Sequence, residues 1–314
     1  MLNGENFLWV EKYRPAKVAD TVLPYELKTV FQQFVDQNNV PNLILSGGPG
    51  VGKTTIAKAM LNQLDSDFIV INGSLSGNID TLRNDIMQFA SSVSFSGGRK
   101  YVILDEADYL NANSTQPALR NFMEEFSKNC GFILTCNYKN RIIAPLHSRC
   151  SVIDFDIKSQ EKPTLAMEFF ERVKLILTTE NIIYDDKVVA AFIQKHFPDW
   201  RRVLNELQRY SATGRIDSGI LADLQEVSIK ELTEYMKNKN FTGVRKWVAE
   251  NINNDSSRIF RKFYNVANDI FAKGSVPQLV LILADYQYKA AFVADHELNM
   301  SACLAEIMVN CELK

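Results

Sequence analysis

A glycine-rich run between two regular stretches constrains the fold of this chain more than any other feature. Residues 47–54 read Gly-Gly-Pro-Gly-Val-Gly-Lys-Thr and match the pattern G-x-x-x-x-G-K-[ST]. The apolar run 43–46 before them predicts a buried strand, and residues 54–64 after them have a helical pattern. Glycines let the backbone curl so that its N–H groups point at phosphate oxygens beside a helix N-terminus. The sequence therefore predicts a strand, a phosphate-binding loop and a helix; the alternative is a glycine-rich turn that precedes Lys-Thr by chance.

Short apolar runs and helical patterns alternate along the first half of the chain. Four more buried strands are predicted, at residues 68–72, 101–104, 132–135 and 152–155. Helices are predicted between them, at residues 79–92 and 114–127. Because strands that alternate with helices form parallel sheets covered by those helices, the sequence predicts an α/β fold with a parallel sheet.

The pattern changes near Ser159, after which we find no further convincing strand. Eight amphipathic stretches predict helices, at residues 163–179, 186–196, 199–212, 227–238, 241–251, 256–273, 275–294 and 296–311. Pro198 and residues 214–219 interrupt them. We predict three domains: an α/β domain at 1–157, a small helical domain at 158–226 and a larger helical domain at 227–314.

Composition restricts the class of protein. The five cysteines show no C-x-x-C pair, which argues against a disulfide framework and a zinc site. The first residues do not resemble a signal peptide, and no apolar run reaches the length of a membrane span, so we expect a reduced, cytoplasmic protein. With a formal net charge of −2, any nucleic-acid partner would have to meet a local basic surface.

Two carboxylates follow the predicted strand 101–104. Asp105 is expected to hold Mg²⁺ together with the hydroxyl of Thr54, and Glu106 to polarise the attacking water. Lys53 is expected to reach the β- and γ-phosphates of a nucleotide. Solvated acids at a strand end are common, and they are the alternative reading of Asp105 and Glu106.

Three further polar side chains are weaker candidates from the residues alone. Asn137 closes the predicted strand 132–135 and could touch the γ-phosphate, but it could equally cap a loop. Arg149 has the charge and forked shape that suit a transferring phosphoryl group, although a surface salt bridge is the simpler reading. Arg201 and Arg202 open a predicted helix and could close it onto the nucleotide, or could lie on a solvated face.

The ordered set of motifs resembles a known family. The segments that carry the resemblance are Trp9-Val10-Glu11-Lys12-Tyr13-Arg14-Pro15, the phosphate-binding loop, Asp105-Glu106-Ala107-Asp108, Ser148-Arg149-Cys150 and Pro198-Asp199-Trp200-Arg201. Together they resemble the AAA+ sliding-clamp loader ATPase subunits of the replication-factor-C type, most similar to the large clamp-loader subunits of T-even-like phages. The resemblance implies an AAA+ domain, a helical lid and a helical collar, and a protein of the host cytoplasm.

The resemblance also implies roles for individual residues toward ATP and Mg²⁺. Asn137 corresponds to sensor 1, Arg201 to sensor 2, and Arg149 to an arginine finger that reaches the neighbouring subunit's site. The catalytic set it implies is Lys53, Asp105, Glu106, Asn137 and Arg149, and the metal set is Thr54 and Asp105. The implied nucleotide-binding residues are Val10, Glu11, Lys12, Tyr13, Val22, Gly50, Val51, Gly52, Lys53, Thr54, Thr55 and Arg201.

Macromolecular partners follow from the same resemblance. They are a ring-shaped sliding clamp, primer–template DNA, and four copies of the chain joined to one smaller subunit in a five-subunit spiral. Candidate DNA contacts lie at two predicted helix starts, 77–83 and 114–121, where we expect Arg83, Arg120 and Asn121 to meet phosphates; solvated helix ends are the alternative.

Clamp contact and the DNA trigger are less well defined. Met87, Phe89 and Phe95 are candidate clamp contacts, although an apolar helical stripe is more often core. Family members often carry a basic residue before the pair that corresponds to Ile79-Asp80, where it couples DNA contact to release of the catalytic glutamate. This chain has Gly77-Asn78 instead, which leaves the trigger open.

Three other functions compete with a clamp loader. The Asp-Glu-Ala-Asp run suggests a DEAD-box helicase, but that class needs a second α/β domain. Another AAA+ replication ATPase, such as an initiator or helicase loader, fits the motifs, although acids outnumber bases from Asp285 onward. A degenerate subunit that only binds ATP is the non-enzymatic alternative, and the intact Lys53, Asp105 and Glu106 argue against it.

Overall fold

The chain forms two compact units, Met1–Leu221 and Ala222–Lys314. The computed structural model describes residues 7–74, 79–94, 97–212, 214–217, 220, 229–251 and 256–314. The predicted boundary between residues 157 and 158 lies inside the first unit, and the boundary between 226 and 227 lies close to the break between the units. The three-domain division stays a prediction.

A five-stranded parallel sheet forms the centre of the first unit. Its strands are Leu43–Ser46 (β1), Phe68–Asn72 (β2), Lys100–Asp105 (β3), Cys130–Cys136 (β4) and Ser151–Asp154 (β5). Their order is β2-β3-β4-β1-β5, and all neighbours run parallel. The predicted α/β fold with a parallel sheet is confirmed. The strands β3 and β4 extend one or two residues beyond the predicted apolar runs, because polar or small residues at their ends also join the ladder.

Helices cover both faces of this sheet. The short helix Trp9–Lys12 (α1) precedes them in the chain. The covering helices are Tyr25–Asp36 (α2), Lys53–Gln63 (α3), Ile79–Ser91 (α4), Thr115–Glu125 (α5) and Ala144–His147 (α6). Successive side chains of a strand point to opposite faces, so Ile44 joins the core beneath α4 and α5 while Leu43 and Leu45 join the core beneath α2 and α3. Helix α2 is not among the predicted helices, although Leu27, Phe31, Phe34 and Val35 recur there at helical spacing.

Three longer helices and a small second sheet complete the first unit. The helices are Lys162–Thr179 (α7), Asp186–His196 (α8) and Trp200–Ser211 (α9). Strand Ile183–Tyr184 (β6), between α7 and α8, pairs in parallel with strand Arg215–Ile216 (β7), which follows α9. The expectation of no strand after Ser159 is therefore wrong at this place. Two-residue strands are too short to give a periodic signal, and their pairing depends on contacts that bring distant segments together.

The described part of the second unit is built from helices. They are Ile229–Lys237 (α10), Phe241–Asn251 (α11), Ser256–Asn265 (α12), Ala267–Ile270 (α13), Val276–Ala290 (α14) and His296–Asn310 (α15). Their core includes the buried side chains of Trp247, Phe260, Phe263, Phe271 and Leu304.

The predicted helix 256–273 is divided in the structure. It breaks after Asn265, and Phe271 adopts an extended conformation that bridges Leu313 in antiparallel fashion. The N–H of Ala272 donates to Glu312 O at 2.9 Å, so the last residues of the chain satisfy backbone groups that a continuous helix would have used. No helix among the described residues is both long and apolar enough to cross a bilayer.

Candidate functional site

The loop between β1 and α3 meets the ends of two neighbouring strands. Lys53 Nζ donates to the carbonyl oxygens of Gly47 and Gly48, both at 2.7 Å. It also donates to Asn137 Oδ1 at 3.0 Å, just beyond β4. Burial lowers the pKa of Lys53, and the nearby carboxyl group of Asp105 acts in the opposite direction. The carboxyl ends of parallel strands lie at one edge of a sheet, which is why residues distant in sequence meet here.

Asp105 and Thr54 converge as a metal site requires. Thr54 Oγ1 and Thr135 Oγ1 both donate to Asp105 Oδ1, each at 2.6 Å. A hydroxyl and a carboxylate at this distance fit the ligand preference of Mg²⁺ beside a bound triphosphate. Glu106 follows in the left-handed conformation, with φ 56°, and its N–H donates to Thr135 Oγ1 at 3.1 Å. Backbone strain of this kind is found at functional sites, and it turns Glu106 away from the strand path.

Asp108 was not proposed as a site residue, although it closes the Asp-Glu-Ala-Asp run. It is 5% exposed, and its Oδ2 accepts the N–H groups of Asn137 and Tyr138 at 3.2 and 3.3 Å. Through these two bonds Asp108 fixes the loop that carries the Asn137 side chain. The sequence signal for this role is the third acid of the run, which comes two residues after Glu106.

A concave cleft opens beside the phosphate-binding loop, as is usual for sites that bind small ligands. It is lined by Val10, Tyr13, Arg14, Pro15, Thr21, Val22, Leu23, Gly50, Val51, Gly52, Lys53, Thr54, Thr55, Phe169, Arg172, Trp200, Arg201 and Leu204. The lining combines the loop backbone and four basic side chains, Arg14, Lys53, Arg172 and Arg201, with many apolar or aromatic side chains. The cleft can therefore take a ligand with a phosphate chain and a planar base.

Most of the predicted nucleotide-binding residues line this cleft, but two do not. Glu11 forms an ion pair with Arg14, and hydrogen bonding from Arg14 lowers the pKa of the Glu11 carboxyl. Lys12 Nζ donates to Glu180 at 2.8 Å, outside the cleft. Arg172 on α7 also lines the cleft but was not predicted, because it belongs to no recognisable sequence motif.

Helix α9 docks directly on the phosphate-binding loop. The N–H of Trp200 donates to Gly50 O at 3.2 Å, and Asp199 caps α9 by accepting the N–H of Arg202 at 3.0 Å. Gly50 has φ +72°, and a Cβ built on it would lie 1.8 Å from Asp199 Oδ1. A glycine is therefore required here twice, by the backbone conformation and by the close approach of α9.

Replacing Gly50 with alanine is expected to lower the free energy of unfolding of the first unit by about 1–2 kcal/mol from the left-handed conformation alone. The clash with Asp199 should also push α9 off the loop and weaken nucleotide binding. Thermal unfolding with and without ATP measures both effects. Gly48→Ala is the matched control for stability, because its Cβ would meet no atom within 4 Å. Equal unfolding temperatures for the two variants would contradict this explanation.

The predicted arginine finger lies outside the cleft of its own chain. Arg149 pairs with Glu124, donating from Nε at 2.9 Å, and its Nη1 donates to Pro145 O at 2.9 Å. It is partly exposed, with 29% of its side chain accessible. Its neighbour Cys150 has a pKa raised to about 12 by burial, so this thiol stays protonated.

The predicted DNA and clamp contacts are distributed over α4 and α5. Arg83 on α4 and Asn121 on α5 are exposed, and Arg120 lies 3.8 Å from Glu124. Met87 is exposed, whereas Phe89 packs partly against the core. Gly77, Asn78 and Phe95 fall outside the described residues.

Comparisons with known proteins identify the family. Residues 43–157 match the AAA family, ATPases associated with various cellular activities, and residues 161–222 match the AAA+ ATPase lid domain of the sliding-clamp-loader large subunit. The chain is 36% identical over 318 residues to the sliding-clamp-loader large subunit of Escherichia phage RB69, covering 99% of this chain and 98% of that protein. Identity to the replication factor C small subunit of Sulfurisphaera tokodaii is 32% over 327 residues, covering 97% and 96%.

A second phage relative and a solved structure agree with this. The chain is 38% identical over 249 residues to the sliding-clamp-loader large subunit of Enterobacteria phage T4, covering 78% of each. The RuvB Holliday junction branch migration motor of Thermotoga maritima superposes with a TM-score of 0.53 at 18% identity, over 72% of this chain and 78% of that one, which shows a shared fold. The chain therefore belongs to the AAA+ sliding-clamp-loader family and is an ATP-hydrolysing subunit of that family.

Proposed function

We propose that this ATPase opens a ring-shaped sliding clamp when it binds ATP and releases the clamp on primer–template DNA when it hydrolyses ATP. One observation carries the proposal. The phosphate-binding loop and Arg201 on α9 line the same cleft, so that one ligand can contact both. Such a site lets the presence of a γ-phosphate determine how α9 packs, which is what a nucleotide-driven loader needs.

The hydrolytic roles follow from the contacts at the sheet edge. Mg²⁺, held by Thr54 and Asp105, would neutralise charge on the phosphates when bound. Lys53 holds the phosphates, and Glu106 accepts a proton from the attacking water. Asn137, held by Asp108, orients the γ-phosphate or the water. The base lies against Val10, Tyr13 and Val22, and the loop residues 50–55 surround the phosphate chain.

Arg149 is proposed to act on the neighbouring subunit's nucleotide. It is missing from the cleft of its own chain, it is partly exposed, and its guanidinium is held by Glu124 and a backbone carbonyl. A guanidinium fixed at the surface of one subunit can stabilise negative charge on the phosphates bound to a neighbouring subunit. This role requires an assembly, which we propose consists of four copies and one smaller subunit, joined through the helical second unit.

DNA contact is proposed for Arg83, Arg120 and Asn121. They lie on α4 and α5, and each is exposed. Contacts of this kind hold phosphates without reading bases. The DEAD-box alternative needs a second α/β domain, whereas the described residues of the second unit form helices and one isolated bridge but no sheet.

The test is ATP turnover by the assembled complex, measured alone, with a ring-shaped clamp, with primed DNA, and with both. We expect the two ligands together to raise turnover at least about tenfold over either one, because hydrolysis awaits both partners. A Lys53→Ala complex should stay inactive in every mixture. Turnover that neither ligand changes would contradict a loader, and stimulation by DNA alone would favour another AAA+ replication ATPase.

A further inference from the structure

The N-terminal segment, residues 7–13, supplies Val10 and Tyr13 to the cleft, and its backbone is held by α9. Gln208 Oε1 accepts the N–H of Trp9 at 2.9 Å, and Gln208 Nε2 donates to Phe7 O at 2.7 Å. The Gln208 side chain thus pairs with a backbone N–H on one side of residue 8 and with a backbone carbonyl on the other. Trp9 is 5% exposed, so the segment is fixed by burial as well as by these two bonds.

Gln208 shares a helix face with the predicted γ-phosphate sensor. Arg201, Leu204 and Gln208 are spaced by three, four and seven residues on α9, which places them on one side of the helix. Arg201 and Leu204 line the cleft, and Gln208, one to two turns further along α9, bonds to the segment that carries Val10 and Tyr13. One helix therefore contributes a cleft-lining arginine and also holds two other cleft-lining residues through their backbone segment.

A second helix of the same group reinforces this attachment. Arg172 on α7 donates from Nη2 to Tyr13 O at 2.8 Å and from Nη1 to Asp20 O at 2.7 Å. Glu180, at the end of α7, accepts a bond from Lys12 at 2.8 Å and one from the hydroxyl of Tyr13.

Two residues that follow this segment, Arg14 and Val18, bond to a different helix. Arg14 Nη1 donates to Thr55 Oγ1 at 3.0 Å, and the N–H of Val18 donates to Gln63 at 3.1 Å. Both partners lie on α3, the helix that follows the phosphate-binding loop. The hydrogen bonds of residues 7–13 to distant helices therefore go to α7 and α9, whereas Arg14 and Val18 bond to α3. Asp20 O, a little further along, again accepts from Arg172 on α7.

We infer that Gln208 is a positioning residue for base binding, through which α9 carries the N-terminal segment, so that Val10, Tyr13 and Arg201 move as one body. The inference rests on the nucleotide site proposed above and deepens it. Its consequence is that contact with the base and contact with the γ-phosphate stabilise the same arrangement of α9. A ligand that lacks a base should be insensitive to Gln208.

The experiment compares the binding of ATP and of inorganic tripolyphosphate, each with Mg²⁺, to the full chain and its variants. Gln208→Leu removes both bonds at similar volume, and we expect it to weaken ATP about tenfold while tripolyphosphate changes less than about twofold. Gln208→Glu keeps the acceptor for Trp9 and loses the donor to Phe7, so an intermediate loss is expected. Gln32→Leu, on α2 and bonded only locally to Asp36, is the matched control and should change neither affinity.

The outcomes separate this inference from the site it rests on. ATP binding that survives Gln208→Leu and Gln208→Glu unchanged overturns the positioning role and leaves the nucleotide site intact. Equal weakening of ATP and tripolyphosphate also overturns it, because that result means general damage to the phosphate loop. Wild-type protein that binds both ligands equally overturns the base site and this inference together.

A double-variant cycle tests the single-body part. When Gln208→Leu is combined with Arg201→Ala, the loss of ATP affinity should be smaller than the product of the two single losses, because each change already uncouples the same helix. Losses that multiply would show that Gln208 and Arg201 act independently and would contradict the inference.

Discussion

Replacing Glu106 with glutamine is expected to lower ATP turnover of the assembled complex at least about a hundredfold, with ATP binding unchanged. An amide cannot accept the proton of the attacking water, yet it has nearly the same shape as the carboxylate. The backbone at residue 106 is fixed independently of the side chain, because its N–H donates to Thr135 Oγ1. The substitution should therefore remove a chemical function and leave the site's geometry in place.

Single-turnover hydrolysis and equilibrium ATP binding measure the two quantities separately. Glu125→Gln is the matched control, since Glu125 is exposed at the end of α5, and it should retain wild-type turnover. Unchanged turnover in Glu106→Gln would mean that this acid is a solvated strand end and that another group activates the attacking water. Loss of ATP binding would instead point to damage of the loop.

Replacing Arg149 with alanine is expected to lower turnover of the assembly by about a thousandfold, the effect typical of an arginine finger. ATP binding to the isolated chain should be unchanged, because Arg149 does not line the cleft of its own chain. The change also frees Glu124, whose pKa is held below its usual range chiefly by the hydrogen bond from Arg149. That ion pair is exposed, so little stability should be lost.

Turnover of the assembled complex and ATP binding to the separate chain are the measurements. Arg209→Ala is the control, since Arg209 pairs with Glu206 on an exposed surface and should leave turnover unchanged. If Arg149→Ala reduced ATP binding to the isolated chain, the residue would serve its own subunit's site. Full turnover in the assembly would reduce Arg149 to a surface salt bridge.

The sequence predicted the parts of the site that follow a strict local pattern. The loop 47–54, the acids after β3 and the amide after β4 occupy one sheet edge, because parallel strands bring their ends together whatever the length of chain between them. Thr54 and Asp105 are 51 residues apart in sequence and bond at 2.6 Å. The apolar runs predict the strands, and the parallel arrangement of the strands explains why these residues meet.

Contacts between separate helices could not be predicted in the same way. Arg172 and Gln208 bond to backbone groups of distant segments, and a backbone donor or acceptor leaves no trace in sequence. The same limit explains the two-residue strands β6 and β7 and the break before Phe271, where the end of the chain competes for backbone bonds. Glu11 and Lys12 belong to the N-terminal motif but do not line the cleft, since their side chains pair with Arg14 and Glu180, and their role toward the nucleotide stays a prediction.

If each ATP site is completed by a neighbouring copy of the chain, two inactive variants should restore each other's activity. Glu106→Gln and Arg149→Ala chains, mixed before assembly, provide this test, because neither variant has a complete site with copies of itself. In a mixed assembly, some interfaces place the intact Glu106 of one chain opposite the intact Arg149 of the next. We expect the mixture, with clamp and primed DNA, to turn over ATP at least about tenfold faster than either variant alone. Turnover no greater than that of the separate variants would contradict a shared site.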